Sequence, residues 1–178
     1  GFDDREGVRQ IAEDHGLALT EADFEELITA KGRAFAEAVD ESAAVCPGAV
    51  TLIEAAAERM PIAICSGALR SDIELIMPSV GDGQLLERFA AVVTADDVPR
   101  SKPDPISYTL AAERLGVEAA RCLAIEDTPT GLASARGAGL RTIAVTHTHP
   151  ADQLDADRVV TALSQIDLHH LDEWLDAD

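Results

Sequence analysis

Residues 122–131 read CLAIEDTPTG, a short apolar run that ends in two adjacent carboxylates and leads into a helical pattern. A continuous apolar run of this length is typical of a strand that is buried on both faces of a sheet. A similar run, PIAIC at 61–65, ends at Ser66 and Gly67. Helical patterns separate such runs, and this order predicts an α/β fold with a parallel, Rossmann-like sheet. Three further runs lie at 90–94, 142–145 and 159–160.

The beginning of the chain carries helical periodicity alone, with no strand pattern. One helix is predicted to end near Gly16. A second is predicted to begin at Thr20, where Asp23 three residues later resembles a capping box. Beyond this part, strand and helix patterns alternate. The sequence therefore predicts a small helical domain over residues 1–45 and a Rossmann-like core domain over residues 46–178.

The chain of 178 residues is strongly acidic, because 14 Lys and Arg stand against 33 Asp and Glu for a net charge of −19. A nucleic acid or an anionic membrane needs a basic protein face, so neither is expected as a partner. No apolar run approaches the roughly 20 residues of a membrane span. If the substrate is an anion, the few cations near the site matter more, and a bound metal ion would help.

The three cysteines fit no metal-binding spacing, and they cannot all pair with one another. Cys65 and Cys122 lie within apolar runs that are typical of buried strands. We therefore predict reduced thiols in the core of a cytoplasmic protein. A monomer is expected.

Ligands of parallel α/β sheets bind at the carboxyl ends of the strands. There the sequence places the hydroxyl of Ser66, the ammonium of Lys102 and the carboxylates of Glu126 and Asp127. Adjacent carboxylates repel each other unless a cation lies between them, and Mg²⁺ binds one or two protein carboxylates together with phosphate oxygens. The pair therefore predicts a magnesium site. The alternative is that Asp127 only caps the helix that follows.

The remaining polar residues at this edge favour an anion as ligand. Lys102 lies in a loop, where an ammonium can neutralise a phosphate and a carboxylate together. Ser66 and Gly67 are predicted to lie at the start of the helix that carries Arg70, where a hydroxyl and free backbone N–H groups would bind an anion; the alternative is that Ser66 is an ordinary N-cap. A serine nucleophile is disfavoured, because the surroundings are not Gly-x-Ser-x-Gly and His147 and His149 are most simply loop histidines.

Three stretches taken together resemble the haloacid dehalogenase superfamily, in its branch of small-metabolite phosphatases and β-phosphoglucomutase with a helical cap. The stretches are CSGALR at 65–70, SKPDP at 101–105 and IEDTPTG at 125–131. The resemblance covers nearly the whole chain. It implies that the helical domain is a cap over the Rossmann-like core.

The resemblance also implies a role for each residue at the strand ends. Ser66 and Gly67 would bind phosphate, with Ser66 as the hydroxyl of the second motif. Lys102 would be the lysine of the third motif, and it would contact both the phosphate and the catalytic carboxylate. Glu126 and Asp127 would hold magnesium, with Asp127 as the surer ligand because the preceding acid can act through water in relatives.

In the cap, the resemblance implies residues that face the substrate. The segment from Gly1 to Arg5 is similar to a cap loop of the mutase-like branch, whose glycine and arginine face the substrate. Lys31 stands where that branch has a cap lysine. Arg5 and Lys31 are therefore predicted to contact the substrate.

The sequence departs from the family at the first motif, Asp-x-Asp-Gly-Thr or Asp-x-Asp-Gly-Val, which does not occur. This motif would supply the nucleophilic aspartate and a general acid/base on a strand that precedes the cap. About forty residues, enough for a strand, a loop and a helix, would therefore lie upstream of Gly1. Without that strand, the cap is partial and the strands that lead to Ser66 and Asp127 keep unpaired edges.

The resemblance implies a magnesium-dependent phosphatase that acts on a small phosphorylated metabolite through an aspartyl-phosphate. A phosphosugar mutase related to β-phosphoglucomutase is the alternative, which Arg5 and Lys31 keep open. A dehalogenase is a weaker alternative, because dehalogenation does not need the pair of metal-binding carboxylates. A non-catalytic phosphometabolite-binding protein of the same fold is a further alternative. Residues 1–178 alone, which lack the nucleophile, are expected to be inactive.

Overall fold

The computed structural model describes residues 4–42 and 45–171. Its strands are β1 (Ala63–Cys65), β2 (Ala91–Val93), β3 (Leu123–Glu126), β4 (Arg141–Val145) and β5 (Arg158–Val160). Its helices are α1 (Asp4–Asp14), α2 (Glu21–Ser42), α3 (Ala49–Ala57), α4 (Arg70–Ile76), α5 (Ile106–Leu115) and α6 (Pro129–Gly137). Short 3₁₀ turns connect several of these elements.

The strands form two parallel sheets, one in the order β1-β2 and the other in the order β3-β4-β5. Ala63 pairs with Ala91 in the first sheet, and Leu123 pairs with Arg141 in the second. The prediction of parallel strands from the apolar runs is confirmed. Across the described ranges no ladder joins β1 to β3, so the expected unpaired edges are also confirmed.

One layer of helices covers both sheets. Helix α5 packs against β1 and β2, α6 packs against β3 and β4, and the two helices pack against each other. Small buried residues allow this close approach, and Ala135 of α6 is fully buried. It packs in one core cluster with Tyr108, Ala124 and Leu140. The shared helical layer therefore holds the ends of β1 and β3 beside each other.

The helical hairpin α1–α2 follows the predicted pattern. Gly16 has a φ of 65°, which suits the residue that ends α1. The capping box is formed at the start of α2: the N–H of Thr20 donates to Asp23 Oδ2 at 3.0 Å, and the N–H of Asp23 donates to Thr20 Oγ1 at 3.2 Å. Phe24 and Ile28 are buried on the inner face of α2.

The helical hairpin contacts the core domain through α2 and α4. The predicted boundary after residue 45 lies beside residues 43 and 44, which are outside the described ranges. Among the helices that are described, none combines the length and the apolar character that crossing a membrane requires.

Candidate active site

A cavity of about 400 Å³ opens at the carboxyl ends of β1 and β3. Ser66, Gly67, Lys102, Glu126 and Asp127 all line it. The structure therefore brings together every core residue that the sequence singled out. Their chemical roles remain predictions, and the contacts of each residue bear on them.

Lys102 connects the ends of the two sheets. Its ammonium donates to the backbone oxygen of Cys65 at 3.0 Å and to Glu126 Oε1 at 2.5 Å. The side chain of Lys102 is 12% exposed and that of Glu126 is 10% exposed, so water screens this ion pair little. The ammonium is therefore fixed at the cavity rather than solvated.

The loop that carries Lys102 is held at several points. Arg100 and Asp104 form an ion pair at 2.8 Å, and Asp104 Oδ1 accepts from the N–H of Ile106 at 3.0 Å. The buried hydroxyl of Ser134, on α6, donates to the backbone oxygen of Asp104 at 2.6 Å. The lysine loop is thereby attached to the start of α5 and to the middle of α6.

Tyr108, on α5, contacts both members of the Lys102–Glu126 ion pair. Its hydroxyl donates to Glu126 Oε1 at 2.5 Å, and the Lys102 ammonium lies 4.8 Å from the centre of its ring. Burial raises the pKa of Tyr108 well above its ordinary value, and the charge of Glu126 raises it further. The hydroxyl is therefore a donor at every physiological pH.

The turn from β3 into α6 is shaped around the Glu126 carboxylate. Thr128 is the N-cap of α6, and its Oγ1 accepts from the N–H of Gly131 at 3.1 Å. The alternative that Asp127 caps this helix is therefore wrong. A Cβ at Gly131 would overlap the Glu126 carboxylate, so the close approach requires glycine at this position.

Asp127 is held through its backbone. Its carbonyl oxygen accepts from Thr148 Oγ1 at 2.7 Å and lies 3.2 Å from His149 Nδ1. Within the described ranges, no hydrogen bond or ion pair reaches its carboxylate. The side chain therefore lines the cavity with both oxygens available to a ligand from solution.

The donor set fits magnesium. Asp127 offers hard carboxylate oxygens, whereas Glu126 Oε1 is already bound by Lys102 and Tyr108. Magnesium usually takes one or two protein carboxylates and completes its shell with water and phosphate oxygens, so such a sparse set suffices. No group of three or more metal-binding side chains occurs among the described residues.

Ser66 lies in the turn after β1 rather than at a helix N-terminus. Helix α4 begins only at Arg70, whose N–H donates to Asp96 Oδ2 at 2.9 Å, so the prediction of a helix start at Ser66 and Gly67 is wrong. Ser66 is not the N-cap either. Its Oγ accepts from the N–H of Ala68 at 3.1 Å, which leaves the hydroxyl proton for a ligand.

A second charged cluster, which the sequence analysis did not identify, lies behind β2. Asp97 accepts hydrogen bonds from Thr94, from Arg70 at 3.0 Å and from Arg114 at 2.7 Å. Both arginines also donate to the backbone oxygen of Val92. The cluster therefore fastens the outer edge of β2 to α4 and α5.

Of the predicted cap residues, only Lys31 has a side chain that the structure describes. Lys31 forms an ion pair with Asp72 Oδ2 of α4 at 3.1 Å, and its ammonium lies 5.0 Å from the centre of the Phe35 ring. Lys31 does not line the cavity. Gly1 and the side chain of Arg5 lie outside the described residues. Contact of Lys31 and Arg5 with a substrate stays a prediction.

Two further residues, which the sequence pattern does not predict as site residues, line the cavity. His147 and Cys46 both line the cavity, and Cys46 Sγ lies 4.0 Å from His147 Nδ1. They stand 101 residues apart in the chain, so no local pattern could have brought them together. All three cysteines are free thiols, as expected.

Comparisons with known proteins agree with this geometry. The family model described as "haloacid dehalogenase-like hydrolase" matches residues 2–139. Validoxylamine A 7'-phosphate phosphatase from Streptomyces hygroscopicus subsp. limoneus is 32% identical over 167 residues, which are 92% of this chain and 76% of that protein. For three other relatives, the chain spans 34% to 62% of their length.

Solved structures show the same fold. CbbY from Rhodobacter sphaeroides, solved in complex with phosphate, has a TM-score of 0.83 and 26% identity, with 97% of this chain and 79% of that chain covered. The β-phosphoglucomutase from Clostridium difficile has a TM-score of 0.84 and 19% identity, with 99% and 78% covered. The predicted Rossmann-like fold and the predicted resemblance are both confirmed, and this chain belongs to an enzyme family, the haloacid dehalogenase-like hydrolases.

Proposed function

We propose that the intact protein is a magnesium-dependent phosphatase that hydrolyses a small phosphorylated metabolite in the cytoplasm. The observation that carries the proposal is the meeting of Lys102, Glu126 and Asp127 at one cavity. An ammonium beside a carboxylate with free oxygens suits a phosphate ester, because phosphoryl transfer depends on positioning and charge neutralisation. The similarity to a protein named as a phosphatase favours hydrolysis over the mutase alternative.

The chain's own residues would bind and orient the phosphoryl group. Lys102 would neutralise one phosphoryl oxygen, while the Ser66 hydroxyl and the Gly67 N–H would donate to others. Asp127 would be the direct magnesium ligand, and Glu126 would act through water or directly. Magnesium, when bound, would supply electrostatic stabilisation of the phosphate oxygens.

The attacking group in this proposal is the aspartate that the family resemblance implies upstream of Gly1. Its carboxylate oxygen would attack phosphorus, the bond between phosphorus and the ester oxygen would break, and the leaving alcohol would take up a proton from the general acid/base that the same motif implies. Water would then lose a proton to that group as it attacks the aspartyl-phosphate, which would release inorganic phosphate and restore the carboxylate. The unpaired edges of β1 and β3 beside the cavity support this placement, since a further parallel strand would satisfy both.

The helical domain, residues 1–45, would act as a cap over the core domain, residues 46–178. Arg5 and Lys31 would select the leaving group, and cap closure would exclude bulk water. The contact between α2 and α4, with the Lys31–Asp72 ion pair in it, supports a cap that rests on the core.

The test is a screen of the intact protein, including its upstream segment, against a panel of phosphorylated metabolites with magnesium and with a chelator. We expect inorganic phosphate to be released from at least one substrate, and only with magnesium. Transfer of the phosphoryl group to another sugar position, without phosphate release, would instead support the mutase. Binding of a phosphometabolite without turnover would support a non-catalytic protein.

A matched pair of variants links the activity to the cavity. Asp127→Asn should remove most of the magnesium-dependent release, whereas Asp155→Asn should not, because Asp155 is an exposed residue whose side chain is 90% accessible. Equal loss in both variants, or activity that survives the chelator unchanged, would contradict the proposal.

A further inference from the structure

Tyr108 lies beside the ion pair between Lys102 and Glu126. Its hydroxyl lies 2.5 Å from Glu126 Oε1, the same oxygen that the Lys102 ammonium approaches at 2.5 Å. The ammonium also lies 3.5 Å from the hydroxyl oxygen and 4.8 Å from the centre of the ring. Tyr108 therefore touches both partners of the ion pair, with its oxygen and with its π face.

The ring and the hydroxyl of Tyr108 have separable tasks. The residue is 6% exposed, and its ring belongs to the core cluster that contains Ala124, Ala135 and Leu140. Packing alone would be served equally well by phenylalanine. The hydroxyl, by contrast, points at a buried carboxylate, where a hydrogen bond to a charged group is stronger than one between neutral groups.

Glu126 Oε1 accepts from both Lys102 and Tyr108, and the neutral Tyr108 donor has a structural advantage at this oxygen. Lys102 has three N–H donors, which are directed to the backbone oxygen of Cys65, to Glu126 Oε1 and, at the longest distance of 3.5 Å, to the hydroxyl oxygen of Tyr108. If Lys102 were the only donor to Glu126 Oε1, nothing else would fix the position of the carboxylate. The carboxylate and the ammonium could then move together, and the ammonium could leave the cavity. A second donor that carries no charge holds the carboxylate in place, and the long 3.5 Å contact between the ammonium and the Tyr108 hydroxyl is the lysine contact that a ligand would replace.

We propose that Tyr108 is a positioning residue of the active site, whose hydroxyl fixes the Glu126 carboxylate and, through it, the Lys102 ammonium for phosphate and magnesium binding. Tyr108 itself touches neither ligand in this proposal. The inference rests on the proposed function, because it assigns the phosphate and magnesium site to the same cavity.

The experiment compares the intact wild-type protein with Tyr108→Phe and Tyr108→Leu. Inorganic phosphate, with and without magnesium, is the binding probe, and thermal unfolding reports the fold. Tyr108→Phe keeps the ring and loses the donor, so it should unfold near the wild-type temperature and yet bind phosphate about tenfold more weakly. Tyr108→Leu should lose both stability and affinity.

Thr142→Val is the matched control. Thr142 is fully buried on β4, and its hydroxyl donates to Asp157 Oδ2 at 2.9 Å, remote from the cavity lining. This variant also loses one buried hydroxyl, so it should reduce stability and leave phosphate affinity unchanged. Equal weakening of phosphate binding in Tyr108→Phe and Thr142→Val would overturn the inference.

A spectroscopic measurement separates positioning from general destabilisation. The ring carbon that bears the hydroxyl can be followed by ¹³C NMR, with its resonance identified by its loss in Tyr108→Phe. Glu126→Gln should move this resonance, and so should magnesium with phosphate. A wild-type protein that binds neither probe overturns the proposed site. Wild-type binding with unchanged affinity in Tyr108→Phe, or a resonance that neither change moves, overturns the positioning role alone.

Discussion

The ammonium of Lys102 lies 2.5 Å from Glu126 Oε1, and this ion pair connects the loop after β2 to the last residue of β3. Both side chains are close to 10% exposed, so the pair is enclosed by protein on most sides. The two residues therefore depend on each other for stability, because removing one charge would leave the other buried without a counter-ion.

Replacing Lys102 with Met should cost about 3–5 kcal/mol of unfolding free energy, because Glu126 would keep its buried charge without a counter-ion. Urea unfolding of the single variants and of Lys102→Met/Glu126→Gln measures this. The double variant should be less destabilised than the two single losses combined. A Lys102→Met protein within about 0.5 kcal/mol of wild type would contradict the buried pair.

Asp127→Asn should remove most magnesium-dependent turnover and leave stability almost unchanged. A neutral amide is a poor ligand for a hard dication, and no protein partner in the described ranges depends on this carboxylate. Isothermal titration with magnesium and a parallel urea unfolding series distinguish the two effects. Strong destabilisation with unchanged magnesium affinity would show that Asp127 has a structural role instead.

Asp97 should cause the free energy of unfolding to fall as the pH becomes acidic. Partial burial alone would raise the pKa of Asp97, but hydrogen bonds from Arg114 and Thr94 outweigh it and hold the pKa well below its ordinary value. Because the pKa is lower in the folded than in the unfolded state, the stabilisation is full above the unfolded pKa of about 3.9 and is lost as pH falls through the folded pKa.

The check on Asp97 is chemical denaturation between neutral pH and about pH 2, with Asp97→Asn beside wild type. Wild type should lose stability below about pH 4 more steeply than the variant. Asp155→Asn, at an exposed ion pair, should follow the wild-type curve. Parallel curves for wild type and Asp97→Asn would contradict the assignment.

Gly131→Ala should destabilise the protein by about 1–3 kcal/mol, because the new methyl group would overlap the Glu126 carboxylate and displace it. The same displacement should weaken phosphate binding. Gly32→Ala is the control, since a Cβ there meets nothing within 4 Å and an alanine inside α2 should stabilise the helix by about 0.5–1 kcal/mol. Equal effects of the two changes would contradict the close approach at Gly131.

Lys31→Ala in the intact enzyme should change KM or substrate preference more than magnesium affinity, if the cap selects the leaving group. The change also leaves the buried Asp72 without this ion pair, so unfolding must be measured alongside. Arg33→Ala, at an exposed neighbour on α2, is the control. If the kinetic constants stay at wild-type values, the role of Lys31 is only structural, through its ion pair with Asp72.

Much of the core could be predicted because its determinants are local. The apolar runs that ended at Ser66 and Asp127 became β1 and β3, and the parallel topology then required their carboxyl ends to share an edge. The Thr20–Asp23 capping box likewise depends on residues three apart. These features needed no knowledge of distant partners.

The parts that escaped prediction depend on partners far along the chain. The helix after Ser66 begins later than expected because Asp96, 26 residues away, accepts from its first N–H. Tyr108 gave no local indication of its role, since the carboxylate it binds lies 18 residues further on. In both cases, tertiary packing supplied what the sequence pattern could not.

The enclosed Lys102–Glu126 pair has a kinetic consequence for an arriving phosphate ester. Two carboxylates and one ammonium line the cavity, so the charged side chains there sum to a negative value before any cation binds. An anion that arrives first is repelled, whereas one that arrives after a divalent cation is attracted. Order of addition should therefore matter in rapid mixing. Since coupling is reciprocal, inorganic phosphate should inhibit more strongly as the magnesium concentration rises.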